Sequence, residues 1–277
     1  MDSDRTSDLG TVQVRDPQDP ALADYVDLTD VQLRQHKEIT DGLFVAEGDL
    51  VMTRALDAGH VPRSWLFSEA RWRLLDEALR TRVLAGRAPV LLGSPELLYA
   101  VTGFSVHRGA LASFHRGPMR SLAEVLTGAR RVVVLEQVNN HTNVGAIIRG
   151  AAALGMDAAL LCPRTADPFY RRALRTSMGT VFTLPWTRLD PWESGLQELA
   201  AQGWTLAALT PSPQAVDLRE VRTQDYERLA LIMGSEGEGL TVATLAACEL
   251  HLRIRMSGGV DSLNVAAATA VACWALG

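Results

Sequence analysis

The stretch LEQVNNHTNVGAIIRGAAALG, residues 135–155, opens as the end of an apolar strand and closes as a helix of small residues. Amides, hydroxyls and a glycine crowd the turn between them, and a single arginine interrupts the helix. Asn143 is expected to cap a helix starting at Val144. From there Val144, Ile147, Ile148, Ala151 and Leu154 recur at helical spacing and form an apolar face. Arg149 lies off that face. Helical side chains lean toward the N-terminus, so its guanidinium reaches back over Gly145, which has no side chain in the way. A cation is disfavoured near a helix N-terminus, and an anion such as a phosphate held at the same place compensates it. A plain cap beside a solvated arginine is the alternative reading of these residues alone.

Around this unit, the apolar runs RVVVLEQV, AALLCP, TLAALT and LALIMGSE alternate with helical stretches, and HLRIRM precedes a last helix. Continuous apolar strands separated by helices indicate a parallel sheet covered on both faces. Upstream, FVAEGDLVMTRALDAG reads as a strand into a helix, RSWLFSE as a strand and ARWRLLDEALRTRVLAG as one helix. APVLLGS follows as a strand, PELLYAVTG as a helix with proline in its first turn, and GALASFHR as a strand. HRGPMR then breaks the pattern. The expected α/β organisation is a loose tail over 1–24, a smaller α/β/α domain over 25–115, a linker over 116–129 and a parallel-sheet domain over 130–277.

The chain has 277 residues, 47% hydrophobic and 21% charged, which excludes a disordered protein. Its net charge of −5 gives no global pull toward nucleic acid, so any such contact needs local clusters. Two are present: RWR at Arg71 to Arg73 and RRALR at Arg171 to Arg175. Trp72, between two arginines, is either a stacking surface or the buried side of a helix whose arginines face water. Cys162, Cys248 and Cys273 contain no CxxC pair, so neither a disulfide framework nor a metal cluster is expected. They read as buried thiols of a cytoplasmic protein. The acidic start MDSDRTSDLG is unlike a targeting peptide. SLNVAAATAVACWALG, the longest apolar run, is shorter than the roughly 20 residues of a membrane span.

Two further stretches carry polar chemistry. In LIMGSEGEGL, Gly234, Gly237 and Gly239 permit a tight loop whose amides face a ligand. It has neither a GK[ST] ending nor GxGxxG spacing, so it is not a familiar phosphate loop. Glu236 on these grounds alone is a loop carboxylate. In IRMSGGVDSLNVAAATAVACWALG, Ser262 and Asn264 present polar groups where the last helix begins. That helix is apolar nearly all round, so it is expected to be buried on several sides and to form a subunit interface. Polar caps on a buried helix are the alternative.

Together the three stretches resemble motifs one, two and three of the SpoU (TrmH-like) branch of SPOUT RNA methyltransferases. The matching segments are NVGAIIR, MGSEGEGL and IRMSGGVDSLNVA, in the family's order and near its spacing. DPFYRRALRTSMGTVFTLP is similar to the family's segment between the first two motifs. This resemblance spans residues 130–277. Residues 36–115, with FVAEG, LLYAVTG and GALASF, more loosely resemble the ribosomal-protein-like substrate-recruiting domain of several members.

The resemblance implies a parallel-sheet SPOUT domain with a deep trefoil knot, a homodimer through that domain, and S-adenosylmethionine (AdoMet) as cofactor. The implied reaction is 2′-O-methylation of a ribose in a structured RNA, with Arg149, Asn143, Glu236, Ser262 and Asn264 around the reacting groups. Cofactor contacts fall by position on Gly234, Ile254 and Leu263, with Met256 and Thr210 at neighbouring loop and strand ends. Arg171, Arg172, Arg71 and Arg73 are the expected RNA contacts, and the additional N-terminal domain favours ribosomal over transfer RNA. Other readings are a transfer-RNA enzyme, a catalytically silent RNA-binding relative and a base-methylating SPOUT enzyme. Arg149, Glu236 and Asn264 argue against the silent relative, and SLNV favours ribose over base. Two positions depart from the family: Arg255 stands where proline is common, and Ala266 where serine is usual.

Overall fold

In the computed structural model, which describes residues 10–29 and 38–277, the first element is a short strand, β1 (Thr11–Gln13). It joins a five-stranded sheet of order β1-β4-β3-β5-β2, built with β2 (Leu43–Glu47), β3 (Pro62–Ser68), β4 (Val90–Gly93) and β5 (Ala110–His115). The β1, β4 and β3 strands run parallel, whereas β5 is antiparallel to both β3 and β2. The loose tail expected over 1–24 is thereby corrected for its described part. Leu22 and Tyr25 are fully buried with Val45, Leu66, Leu91 and Leu111. Inside that core the Tyr25 hydroxyl bonds Ser64 Oγ at 2.8 Å and accepts the Ser113 N–H at 3.2 Å. A three-residue strand among prolines and aspartates is too short to show a period of two.

Helices α1 (Asp49–Asp57), α2 (Glu69–Arg73), α3 (Glu77–Ala85) and α4 (Pro95–Thr102) follow β2, β3 and β4. The single helix expected from ARWRLLDEALRTRVLAG is two, because Asp76 turns out of helical geometry and accepts the N–H groups of Ala78 and Leu79. Helix α4 forms as expected, with Ser94 as cap and Gly103 ending it in the left-handed region at φ +77°.

The chain divides into two units, residues 1–118 with 169–179 and residues 119–168 with 180–277. Two expectations change. The linker expected over 116–129 contains α5 (Leu122–Leu126), whose Val125 packs into the core of the second unit. RRALR, expected on the C-terminal domain, forms α7 (Arg171–Thr176) within the first unit.

In the second unit, seven strands form a wholly parallel sheet of order β10-β12-β9-β11-β6-β7-β8. They are β6 (Arg131–Leu135), β7 (Ala158–Leu161), β8 (Trp186–Arg188), β9 (Thr205–Leu209), β10 (Val216–Asp217), β11 (Leu229–Met233) and β12 (Leu250–Arg253). The four strands expected from apolar runs are present as β6, β7, β9 and β11, and the start of HLRIRM falls in β12; β8 and β10, of three and two residues, carry no such run. The runs reflect burial on both faces. Val132, Val134, Leu160 and Ile232 pack on one side against Leu196 and Leu199 of α8 (Trp192–Ala201). Helices α6 (His141–Ala153), α9 (Val242–Ala247) and α10 (Val265–Leu276) complete the unit. No helix among the described residues is long and apolar enough to cross a membrane.

From β6 the chain steps outward to β7 and β8, crosses to β9 on the other side, and returns with β11 beside β6. The strand order therefore reverses between β6 and β11. In open parallel sheets, ligands bind outside the carboxyl ends of the strands at such a point.

Candidate functional site

Four neighbouring strands release the chain at that carboxyl edge: Ile254 follows β12, Thr210 follows β9, Gly234 follows β11 and Glu136 follows β6. Backbone hydrogen bonds extend the pairing to this row. Thr210 N–H donates to Leu252 O at 2.8 Å, and Glu136 N–H to Met233 O at 2.8 Å. Beyond Gly234 the chain turns back on itself, with Gly239 N–H donating to Ser235 O at 3.1 Å. A Cβ on Gly234 would lie 2.2 Å from the Gly239 carbonyl carbon, so only glycine fits.

The helix beside this loop is capped by Asn140, not by Asn143: Asn140 Oδ1 accepts the N–H groups of Thr142 and Asn143. Helix α6 thus begins at His141, three residues earlier than expected. Asn139, Asn140 and Asn143 all precede Val144, and Asn140 is the one that caps. Asn143, released from capping, is buried and turns its amide to the site.

Asn264 ties the three motifs together. Its Nδ2 donates to Asn143 Oδ1 at 3.2 Å and to Glu236 Oε1 at 2.6 Å. Its Oδ1 meanwhile caps α10 by accepting from Ala266 and Ala267. Both amide hydrogens and the oxygen of Asn264 are therefore used. Asn143 Nδ2 is buried and has no hydrogen-bond partner among the described residues. A buried donor in that state is a ready contact for an acceptor on a ligand.

The other candidates fall into different places. Arg149 is exposed, and its guanidinium makes no hydrogen bond or ion pair among the described residues. Six residues along a helix is a rotation of roughly 240°, so Arg149 and Asn143 lie on different faces of α6. Ser262 is exposed and is not brought into the Asn143–Asn264–Glu236 cluster by any hydrogen bond. Thr210, Ile254 and Met256 are half-buried, while Leu263, just before the Asn264 cap, is exposed. Two polar residues of the edge escape sequence reasoning, Asn140 and the buried Glu136. An acidic residue ending an otherwise apolar strand was the available signal for the second.

Within the first unit, the basic clusters are mostly occupied. Arg171 is buried, with Nη1 2.5 Å from Glu47 Oε2 and its guanidinium 3.9 Å from the centre of the Phe104 ring. Arg71 is ion-paired with Asp49. Trp72 is buried beneath Arg80, whose guanidinium lies 5.2 Å from its ring centre, so it offers no stacking surface. Arg73 and Arg172 are exposed.

The model of the SpoU rRNA methylase family matches residues 130–274. An uncharacterized tRNA/rRNA methyltransferase of Mycobacterium tuberculosis is 41% identical over 95% of this chain and 91% of its own length. The chain belongs to the SpoU rRNA methylase family. Its RNA methyltransferase relatives include RlmP of Bacillus subtilis, a 23S rRNA (guanosine(2553)-2′-O)-methyltransferase, which is 36% identical over 53% of this chain and 58% of its own. The structure of an AdoMet-bound rRNA methyltransferase from Sinorhizobium meliloti superposes with a TM-score of 0.81, at 25% identity, over 96% of this chain and 97% of that one.

AdoMet is the methyl donor of SpoU enzymes, and the residues at this edge fit it. The glycine backbone at Gly234 leaves the strand end open to a ligand, half-buried Ile254 and Met256 supply apolar surface, and Asn143 Nδ2 is a spare buried donor.

Proposed function

We propose that the protein methylates the 2′-hydroxyl of one ribose in ribosomal RNA, as a cytoplasmic homodimer. The observation that carries this reading is the hydrogen-bonded joining of Asn143, Glu236 and Asn264, one residue from each SpoU motif, at the sheet's switch point. AdoMet, when bound, supplies an electrophilic methyl group on a sulfonium. The protein's own task is to align the ribose oxygen with that methyl and to hold the site in that geometry. Gly234, Thr210, Ile254, Met256 and Leu263 hold the cofactor. Asn264 fixes Glu236 and Asn143, and Ser262 contributes a hydroxyl from the preceding loop. Arg149 does not serve as a base, because a guanidinium keeps its proton in proteins. It grips the phosphate next to the target ribose, and the ribose proton leaves through that phosphate or water.

Ribosomal rather than transfer RNA is supported by the separate N-terminal unit, which we assign to RNA selection, with exposed Arg73 and Arg172 contacting phosphate. A trefoil knot in the C-terminal segment is supported by the insertion of β12 between β9 and β10. The dimer is supported by α10, whose buried side carries Val265, Thr269, Ala272, Cys273 and Leu276 while Trp274 is 79% exposed and Val271 also faces out. An exposed tryptophan on a helix apolar nearly all round marks an interaction surface.

Arg149→Ala is expected to nearly abolish methyl transfer to RNA while AdoMet affinity stays within severalfold of the unaltered protein. Mass mapping of ribose methylation in RNA from a strain lacking the gene identifies the nucleotide. Normal turnover in Arg149→Ala would reject its role. For the dimer, light scattering on Trp274→Glu should report a monomer at micromolar concentration, against a dimer for the unaltered chain.

A further inference from the structure

Glu136, directly after β6, is 2% exposed. No basic side chain pairs with it among the described residues. Neutral donors surround its carboxylate instead. Oε2 accepts the Thr241 N–H at 3.0 Å, while Oε1 accepts the hydroxyls of Thr241 at 2.8 Å and Thr244 at 2.7 Å. Thr244 Oγ1 accepts in turn from Trp192 Nε1 at 3.0 Å. A buried carboxylate is tolerated only with such saturation by donors.

The partners of Glu136 have a definite place. Thr241 caps α9 by accepting the Thr244 N–H at 3.2 Å, and it ends the glycine-rich loop that starts at Gly234. Between these points the loop is closed by the Ser235–Gly239 bridge, and Glu236 on its turn is held by Asn264. The loop is therefore fastened twice: through Glu236 to Asn264 and Asn143, and through Thr241 to Glu136. Glu136 directly follows β6 and Asn143 lies in the first turn of α6, so both fastenings refer the loop to one strand-to-helix connection.

We propose that Glu136 is a positioning residue for methyl transfer, a latch that fixes the 234–241 loop to the end of β6 and so sets Gly234 and Glu236 against Asn143 and Asn264. The proposal rests on the functional reading above. A carboxylate suits the task because all its contacts are donors. A glutamine could accept both hydroxyls with its oxygen but would turn its NH2 toward the Thr241 N–H, donor facing donor. The latch acts through the loop and touches neither methyl group nor ribose.

The test uses the full chain with Glu136→Gln, Thr241→Val and Thr244→Val. AdoMet affinity is read by calorimetry, RNA affinity by filter binding, kcat and KM from single substrates, and folding by melting curves. Glu136→Gln and Thr241→Val are expected to weaken AdoMet binding at least tenfold and to lower kcat, with RNA affinity within twofold. Thr241→Ser, which keeps the hydroxyl, is expected to restore both. A merely structural role would lower the melting temperature and leave the AdoMet affinity and kcat of the folded variants within twofold; that result overturns the latch. If Glu136→Gln does not fold, Thr241→Val and Thr244→Val decide the question by the same readouts. Failure of the unaltered protein to bind AdoMet would instead overturn the functional reading itself.

Discussion

Glu47 in the first unit and Glu136 in the second are both buried carboxylates at strand ends, and the two are satisfied in opposite ways. Glu47, the last residue of β2, has a fully buried side chain that meets cations: Arg171 Nη1 at 2.5 Å and Arg175 Nη1 at 3.4 Å. Glu136, after β6, meets one amide and two hydroxyls. An ion pair in a low-dielectric core is strong only while both charges remain, and removing one partner leaves a bare buried ion. A carboxylate held by several neutral donors loses them one at a time. The first arrangement therefore governs whether its unit folds, and the second governs how accurately a loop is placed. Because α7 supplies the cations, the core of the first unit is complete only when residues 169–179 are in place.

The largest expected effect follows from Glu47. Arg171→Met should destabilise the protein by about 3–5 kcal/mol, because buried Glu47 loses its closest cation while Arg175 remains at 3.4 Å. Combining it with Glu47→Gln should recover much of that loss. Glu136→Gln, in contrast, should cost only about 1–3 kcal/mol while disturbing cofactor binding. Urea unfolding of the three variants checks the ranking. If Arg171→Met costs no more than Glu136→Gln, the distinction between charge pairing and neutral donors fails.

A smaller effect separates Arg171 from its neighbour Arg172, which is exposed. Only Arg172 is free to meet phosphate. Arg172→Ala should flatten the salt dependence of RNA binding by roughly 0.7–0.9 log units per log unit of salt. Arg171→Met, measured where it remains folded, should leave that slope unchanged. A flattened slope in Arg171→Met alone would show that the buried pair opens to receive RNA.

Much of this was legible from residue order. Apolar runs located four strands of the parallel sheet, and the motif asparagines and glutamate that meet in the structure are Asn143, Glu236 and Asn264. What escaped depends on contacts between distant residues. RRALR has the composition of a solvated basic helix, yet Arg171 is buried because Glu47, 124 residues earlier, is its partner. Trp72, which its flanking arginines left open between a stacking surface and the buried side of a helix, takes the second place: the helix turns its ring inward. Asn140 holds the capping role expected of Asn143, three residues later, and composition does not rank two asparagines in one turn. β1, β8 and β10 are too short for any periodicity to reveal them.

The smallest effect reads the charge of Glu136 through a neighbour. Burial pushes the Cys248 thiol up from the usual 9.0 to about 12, and the negative charge of Glu136 adds to that rise. Cys273 is pushed up to about 12 by burial alone. For both thiols the folded state holds its proton more tightly than the unfolded chain. Their contribution to stability is thus complete below about pH 9.0 and is lost as pH rises toward about 12, where the folded form also ionises. Glu136→Gln removes the repulsion of the Cys248 thiolate but not the burial, so Cys248 should ionise at lower pH than before while Cys273 stays put. Alkylation rates of the two cysteines against pH, read by peptide mass, test this directly. A downward move of the Cys248 profile alone would establish that Glu136 carries its charge in the folded protein, held there by neutral donors. Unmoved profiles would mean that Glu136 is protonated in its site, and the contrast with Glu47 would reduce to one charged and one neutral acid.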